Sequence, residues 1–308
     1  MLIRCLLLFG LLVATDVGAG VINVEFKFTP FTGDPAAADL VETVPGHVAV
    51  FVNNIPVAEQ EIGREEVPVL FEEREIAASI WLPTESLGGM LRKGTNVIRI
   101  EFEPVDGKEP YRAQLRWAQV IDETTESEKD GKSSATNQAG EGVDDRKVTG
   151  RVVMESKFEA EFATDRPWHH YPAITALTED DRKQILSLLA DRAAAFKPGF
   201  EMIYKILESN AGVDLTALKE EGCLDKAHEA GIRVVAVPSD GIEMLTTGQA
   251  EVVVQAREGQ LFVPEDPAAL EKITDGDTQM CIGMALFGVY PPRLVLVKSK
   301  DGAWVVAY

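Results

Sequence analysis

The chain has 308 residues, 45% of them hydrophobic, and a formal net charge of −20 at pH 7. That length accommodates two ordinary domains, and the hydrophobic share excludes a wholly disordered polymer. The acidic balance argues against nucleic acid and anionic lipid headgroups as partners, because both would be repelled.

The N-terminus reads as a secretory signal. Met1 to Arg4 is a short positive segment, Cys5 to Ala14 is apolar, and Val17-Gly18-Ala19 supplies small residues for cleavage after Ala19. The apolar run is too short for a comfortable membrane span, and Cys5 precedes it, which excludes a lipoprotein reading. No later stretch is long and apolar enough to span a bilayer, so no transmembrane segment is expected. Removing residues 1–19 deletes one charge of each sign, Arg4 and Asp16, and leaves −20. The predicted location is secreted or periplasmic. In such an oxidising compartment the two remaining cysteines, Cys223 and Cys281, are expected to form one disulfide, the alternative being two buried thiols.

Residues 20–121 read as β-structure. Ile22, Val24, Phe26 and Phe28 alternate with polar residues, and Val48, Val50 and Val52 repeat the pattern before an Asn53-Asn54 turn. Ile76, Ala78, Ile80 and Leu82 share a third face, and Ile98, Ile100 and Phe102 a fourth. Tyr111, Ala113, Leu115 and Trp117 share a fifth. Short strands at this spacing predict an antiparallel β-sandwich. The runs VAVFVNNIPVAEQ and IWLPTESLGGMLRKGTNVIRIEF resemble galactose-binding-type jelly-roll domains through Leu91, Gly94, Asn96 and Ile98. Asn54 stands where such domains usually carry Gly. The resemblance covers about residues 22–120 and implies a binding or accessory module, with no sugar-binding residue carried over. Trp81 is a candidate stacking platform for a ligand, or part of the second apolar face of its strand.

Residues 122–147 are rich in Glu, Asp, Ser, Thr, Gly and Lys, and predict a flexible acidic linker or loop, since they bury too little to offset their ordering entropy. Val152, Met154, Phe158, Ala160 and Phe162 mark a long strand. It either opens a second domain at 148, or returns to pair with Gln114–Val120, moving the boundary to about 164.

The segment DRPWHHYPAITALTEDD, Asp165 to Asp181, concentrates chemically useful groups. His169 or His170 is a candidate general base, tuned by Asp165 or Glu161. On an extended backbone the two imidazoles point to opposite sides, so one metal ion takes only one of them and no metal site is expected. Trp168 and Tyr171 are candidate ligand contacts, or anchors stiffened by Pro167 and Pro172.

Beyond it the period becomes helical. Thr178 caps a helix with Asp181 at the capping-box position. Ile185, Leu188, Leu189 and Phe196 form its apolar face, with Asp191 and Arg192 turned elsewhere. Phe200, Ile203, Tyr204 and Leu207 form a second helix, and Asp214 caps a third. Strands are expected at 233–237, 251–256, 261–263, 280–289, 294–298 and 304–308, with a short helix over 267–273. Helices followed by an antiparallel sheet make residues 148–308 an α+β domain. The closing RLVLVKSKDGAWVVAY resembles the last hairpin of NTF2-like, cystatin-like domains, over about residues 178–308. That class includes enzymes, ligand pockets and dimerisation units, so the resemblance leaves activity open.

His47 and His228 read as boundary or surface residues, and Asp275-Gly276-Asp277 as a polar turn. The chain carries no nucleophile elbow, phosphate loop, dinucleotide fingerprint or zinc-protease helix, so no cofactor is expected. These features predict an exported binding or accessory protein whose partner is a small molecule, a glycan or an envelope protein. The alternatives are a hydrolase using His169 or His170 with a carboxylate, and a structural part of an envelope assembly.

Overall fold

A computed structural model describes residues 21–70, 75–127, 131–208 and 215–307, so the expected signal segment lies outside the described residues. Contacts group the chain into two compact units, Met1–Val50 with Val57–Thr164, and Phe51–Pro56 with Asp165–Tyr308. Among the described residues, no helix is long and apolar enough to cross a membrane.

The first unit is built from antiparallel strands: β1 (Val21–Thr32), β2 (Leu40–Thr43), β3 (Gly46–Val52), β4 (Ile55–Ile62), β5 (Glu66–Leu70), β6 (Glu75–Ile76), β7 (Ile80–Pro83), β8 (Thr95–Pro104), β9 (Pro110–Ser127), β10 (Gly131–Thr149) and β11 (Val152–Glu159). One sheet runs β10-β9-β1-β2-β5-β6, with β7 also on β1, and the other runs β11-β8-β3-β4. Alternation puts Phe26, Phe28, Val50, Ile100, Phe102 and Met154 out of water. Rings from the two sheets touch, Phe26 with Phe158 at 5.1 Å and Phe28 with Phe102 at 6.0 Å between centroids. Burying each such ring contributes about 2–3 kcal/mol.

Local chemistry explains the strand entry at β8. The buried Asn96 carboxamide accepts from the Arg92 N–H at 2.8 Å and donates to the carbonyls of Arg92 and Gly94 at 2.7 and 2.8 Å. Gly94 supplies the left-handed φ of +90° that the loop needs. At the β3–β4 turn, Asn53 and Asn54 take φ of 53° and 63°, a conformation that asparagine tolerates, so glycine is not required there.

Residues 122–147, expected to be a linker or loop, instead run within β9 and β10, apart from 128–130, which lie outside the described residues. Polar pairing across the ladder takes the place of apolar burial. Arg112 donates through Nε and Nη2 to both oxygens of Asp145, at 2.9 and 2.6 Å, and Gln114 Nε2 donates to the same carboxylate at 3.0 Å. Gly142 faces Trp117, and a Cβ there would fall 2.2 Å from the indole, so only glycine lets the ring lie on the strand. Strand β11 pairs with β8, Val152 opposite Phe102, and not with Gln114–Val120, whose free side β10 occupies.

The second unit contains α1 (Glu179–Ala193), α2 (Glu201–Glu208), α3 (Leu215–Glu221), α4 (Cys223–Glu229), β12 (Val234–Ala236), β13 (Ile242–Thr246), β14 (Glu251–Ala256), β15 (Phe262–Pro264), α5 (Gly276–Val289), β16 (Arg293–Lys298) and β17 (Trp304–Val306). A four-stranded antiparallel sheet runs β13-β14-β16-β17, and β12 pairs with β15. Ile185, Leu189, Ile203 and Leu207 of the helices share one core with Val252, Val254 and Leu296 of the sheet. The expected strand over 280–289 is helix α5. Its apolar run carries no period-two alternation, Asp275 accepts from the Thr278 N–H at 3.0 Å as an N-cap, and Cys281, Ile282, Ala285 and Val289 bury one helical face. Strand β13 did not stand out in the sequence, because Ile242–Thr246 lacks a fully alternating pattern.

Helices α4 and α5 bring Cys223 and Cys281 to disulfide distance, Cα atoms 6.2 Å apart, across a separation of 58 residues. Closing a loop of that length is worth about 4 kcal/mol in the chain-entropy model. Reduction, or a Cys223→Ser with Cys281→Ser double variant, is expected to lower stability toward urea by an amount of that order. Complete labelling of both thiols in unreduced, denatured protein would contradict the pairing.

The β9–β10 ladder predicts slow amide exchange at 112–118 and 142–148, measurable by hydrogen–deuterium exchange with mass spectrometry. Exchange at random-coil rates over 142–148 would restore the linker reading.

Candidate functional site

The site begins with the start of α1. Thr178 Oγ1 accepts from the Asp181 N–H at 3.1 Å, and Asp181 Oδ2 accepts from the Thr178 N–H at 3.0 Å and hydroxyl at 2.6 Å. The other carboxylate oxygen, Oδ1, accepts from Lys298 Nζ at 2.7 Å and Trp304 Nε1 at 3.1 Å. One buried acid therefore ends a helix and fastens it to the β16–β17 hairpin. The Lys298 ammonium first, then Thr178 and Trp304, hold the Asp181 carboxyl well below the usual carboxylate range.

With α1 so fixed, Ile185 and Leu189 face the core. The adjoining stripe, Gln184, Leu188 and Arg192 among it, lines an open cleft of about 460 Å³ with Met202, Trp304 and Val306. A neighbouring hollow of about 590 Å³ includes Arg166, Trp168, Lys205, Pro291 and Leu294. The two share Arg192, Met202, Ile206 and Val306 as lining residues. Helix α2 supplies its wall through Met202, Lys205 and Ile206, while Ile203 and Leu207 go to the core.

Arg192 lines both hollows. Its Nε donates to the Val289 carbonyl at the end of α5, at 2.8 Å, and its own carbonyl accepts from the Tyr290 hydroxyl at 3.3 Å. Burial lowers the guanidinium pKa from its ordinary value, partly offset by Tyr290, and raises the Tyr290 phenol to about 12. Arg192, expected to turn away from the apolar face of α1, is half-buried beside it. Its spacing could have placed it there, since it follows Ile185 by seven residues and Leu188 by four.

The histidine pair is arranged differently from expectation. Pro167–His170 forms a 3-10 turn, not extended chain, and the turn brings both imidazoles toward Asp165. His170 Nε2 lies 2.9 Å from Asp165 Oδ2, with both side chains at least half exposed. His169 Nδ1 accepts from the Arg166 N–H at 3.3 Å, and lies 3.7 Å from Asp165 Oδ1, too long for a hydrogen bond. Its ring is buried edge-on against Trp168, centroids 5.8 Å apart. Trp168 is half-buried in the cleft wall under the Arg166 guanidinium, 5.9 Å from the ring centre. Asp165, His169, His170 and Tyr171 do not line the cleft. Among the described residues, no group of three His, Cys, Asp or Glu side chains is placed to hold a metal ion.

In the first unit Trp81 is 58% exposed on β7, and its Nε1 donates to Glu25 at 3.3 Å. His47 pairs with Glu61 at the surface, at 3.0 Å, and His228 packs on the Phe196 and Phe200 rings. On α5, Met280, Met284 and Phe287 are exposed on one side. No protein-family model, curated protein or solved structure matches this chain.

Because the Asp181 pKa is depressed in the folded chain, its contribution is present above the unfolded value near about 4 and lost as pH falls through the folded one. Asp181→Asn is expected to lower stability at pH 7 by about 2–3 kcal/mol. Urea midpoints should show the gap to the parent narrowing as pH falls below about 4. An equal gap at pH 7 and pH 3 would remove Asp181 from this role.

Proposed function

We propose that the protein is an exported binding or accessory protein, and that its second unit holds a small molecule in the cleft between α1, α2, the end of α5 and β17. The observation that carries this reading is a pair of adjacent hollows that share Arg192, Met202, Ile206 and Val306. Their volumes fall in the range of small-molecule sites, and their walls are mostly apolar with a few polar groups, the usual composition of such sites. The signal-like N-terminus, the acidic balance and the absence of a catalytic motif in the sequence support export and binding over catalysis.

The hydrolase reading draws support from the His170–Asp165 pair, a base held by a carboxylate. Both groups are exposed, and neither lines the cleft. The assembly reading draws support from the exposed Met280, Met284 and Phe287.

One set of titrations separates the three. Nile red, a neutral polarity-sensitive dye, is expected to bind saturably and to be lost on Met202→Trp, which fills the wall common to both hollows. Loss on Phe287→Glu instead would favour the assembly surface. Turnover of p-nitrophenyl acetate abolished by His170→Ala would favour the hydrolase.

A further inference from the structure

We infer that the cleft takes an amphipathic oxyanion, a ligand with one carboxylate or phosphate head and an apolar body, and that Arg192 binds the head. This rests on the cleft being the ligand site.

The cleft walls bring three cations together, Arg166, Arg192 and Lys205. In a chain with 50 acidic against 30 basic residues, Arg64, Arg112, Arg146 and Arg151 of the first unit meet carboxylates, whereas Arg233 and Arg257 of the second unit, like Arg192, bond to backbone carbonyls. Arg192 is half-buried and meets no carboxylate within salt-bridge distance among the described residues. Its one side-chain hydrogen bond there is from Nε to the Val289 carbonyl. Removing a guanidinium from water without an anion is costly, and the lowered pKa of Arg192 reports that cost. A guanidinium nevertheless stays charged at neutral pH. With Nε committed, the two Nη groups remain as an end-on fork, the geometry that binds a carboxylate or phosphate through two parallel bonds.

The surroundings agree on the sign of the ligand. Lys205 and Arg166 line the same hollow, and the one acid on either wall, among the described residues, is Asp191. Leu188, Met202, Ile206, Leu294 and Val306 supply apolar surface beside these cations, and Trp168 adds a flat ring. A head and a body are therefore both provided for. The hollow of about 290 Å³ in the first unit offers no such combination, since its Arg64 is already paired with Glu42.

The test is isothermal titration, below micelle-forming concentrations, with dodecanoate, dodecyl phosphate and dodecyltrimethylammonium. Both anions are expected to bind, each at least about tenfold tighter than the cation, and more weakly as salt is added. Arg192→Gln is expected to weaken the anions about 10- to 100-fold and to leave the cation unchanged. Lys205→Gln, at an exposed position, is expected to weaken them about 2- to 5-fold. The tighter of the two anions identifies the head group. Melting curves report whether Arg192→Gln folds, and if it does not, Lys205→Gln decides. Cation and anion binding alike, or anion affinity unmoved by the variant that decides, would overturn the inference. If Nile red is still held and lost on Met202→Trp in that case, the cleft reading stands and only the ligand class falls. If no probe is held, the cleft reading falls with it.

Discussion

The second unit depends on a single carboxylate shared between a helix end and a hairpin. Asp181 closes the capping box of α1 with one oxygen and receives Lys298 and Trp304 with the other. A helix N-terminus already favours negative charge, so the acid is stabilised there before the hairpin adds an ammonium and an indole N–H. The same contacts set the angular position of α1. With Asp181 held, Ile185 and Leu189 must face the core, and Leu188 and Arg192 must face the cleft. Trp304, fixed by the same acid, becomes part of the opposite wall.

Arg192 is the counterpart of Asp181 at the other end of the helix. The acid is satisfied by the chain's own donors, whereas the arginine, which lines the cleft, bonds among the described residues through Nε alone. A positive charge in the last turn of α1 is favoured by the helix dipole, and the Val289 carbonyl orients the guanidinium. The desolvation cost is held in the fold by a tight local frame, with Tyr290 bonded to the backbone of the same residue.

Two segments show where composition misleads, in opposite directions. Residues 131–149 are polar yet run as a strand, because Asp145 is chelated by Arg112 and Gln114, and Gly142 admits the Trp117 ring. Residues 276–289 are strongly apolar yet form a helix, because Asp275 caps it and only one of its faces is buried. Hydrophobic content alone separates neither case. Cross-strand partners and a cap do, and the partners lie far away in sequence while the cap lies only three residues from the group it binds. The histidine pair belongs with these. Pro167 sets a tight turn where extended chain was expected, and both imidazoles swing toward Asp165.

The sequence by itself determined the features that depend on neighbours a few residues apart. Period-two alternation specified the strands around Phe26, Val50, Ile100 and Leu115, because a strand with one buried face must alternate. Thr178 and Asp181 specified the start of α1, since the capping partners are three residues apart. The tertiary structure alone decided which strand pairs with β11, where the charge of Arg192 faces, and that Asp181 reaches Lys298, 117 residues away, and Trp304, 123 residues away. Local geometry constrains spacing along the chain. Which apolar faces and charges meet across it depends on burying all of them at once, and no short window of sequence contains that condition.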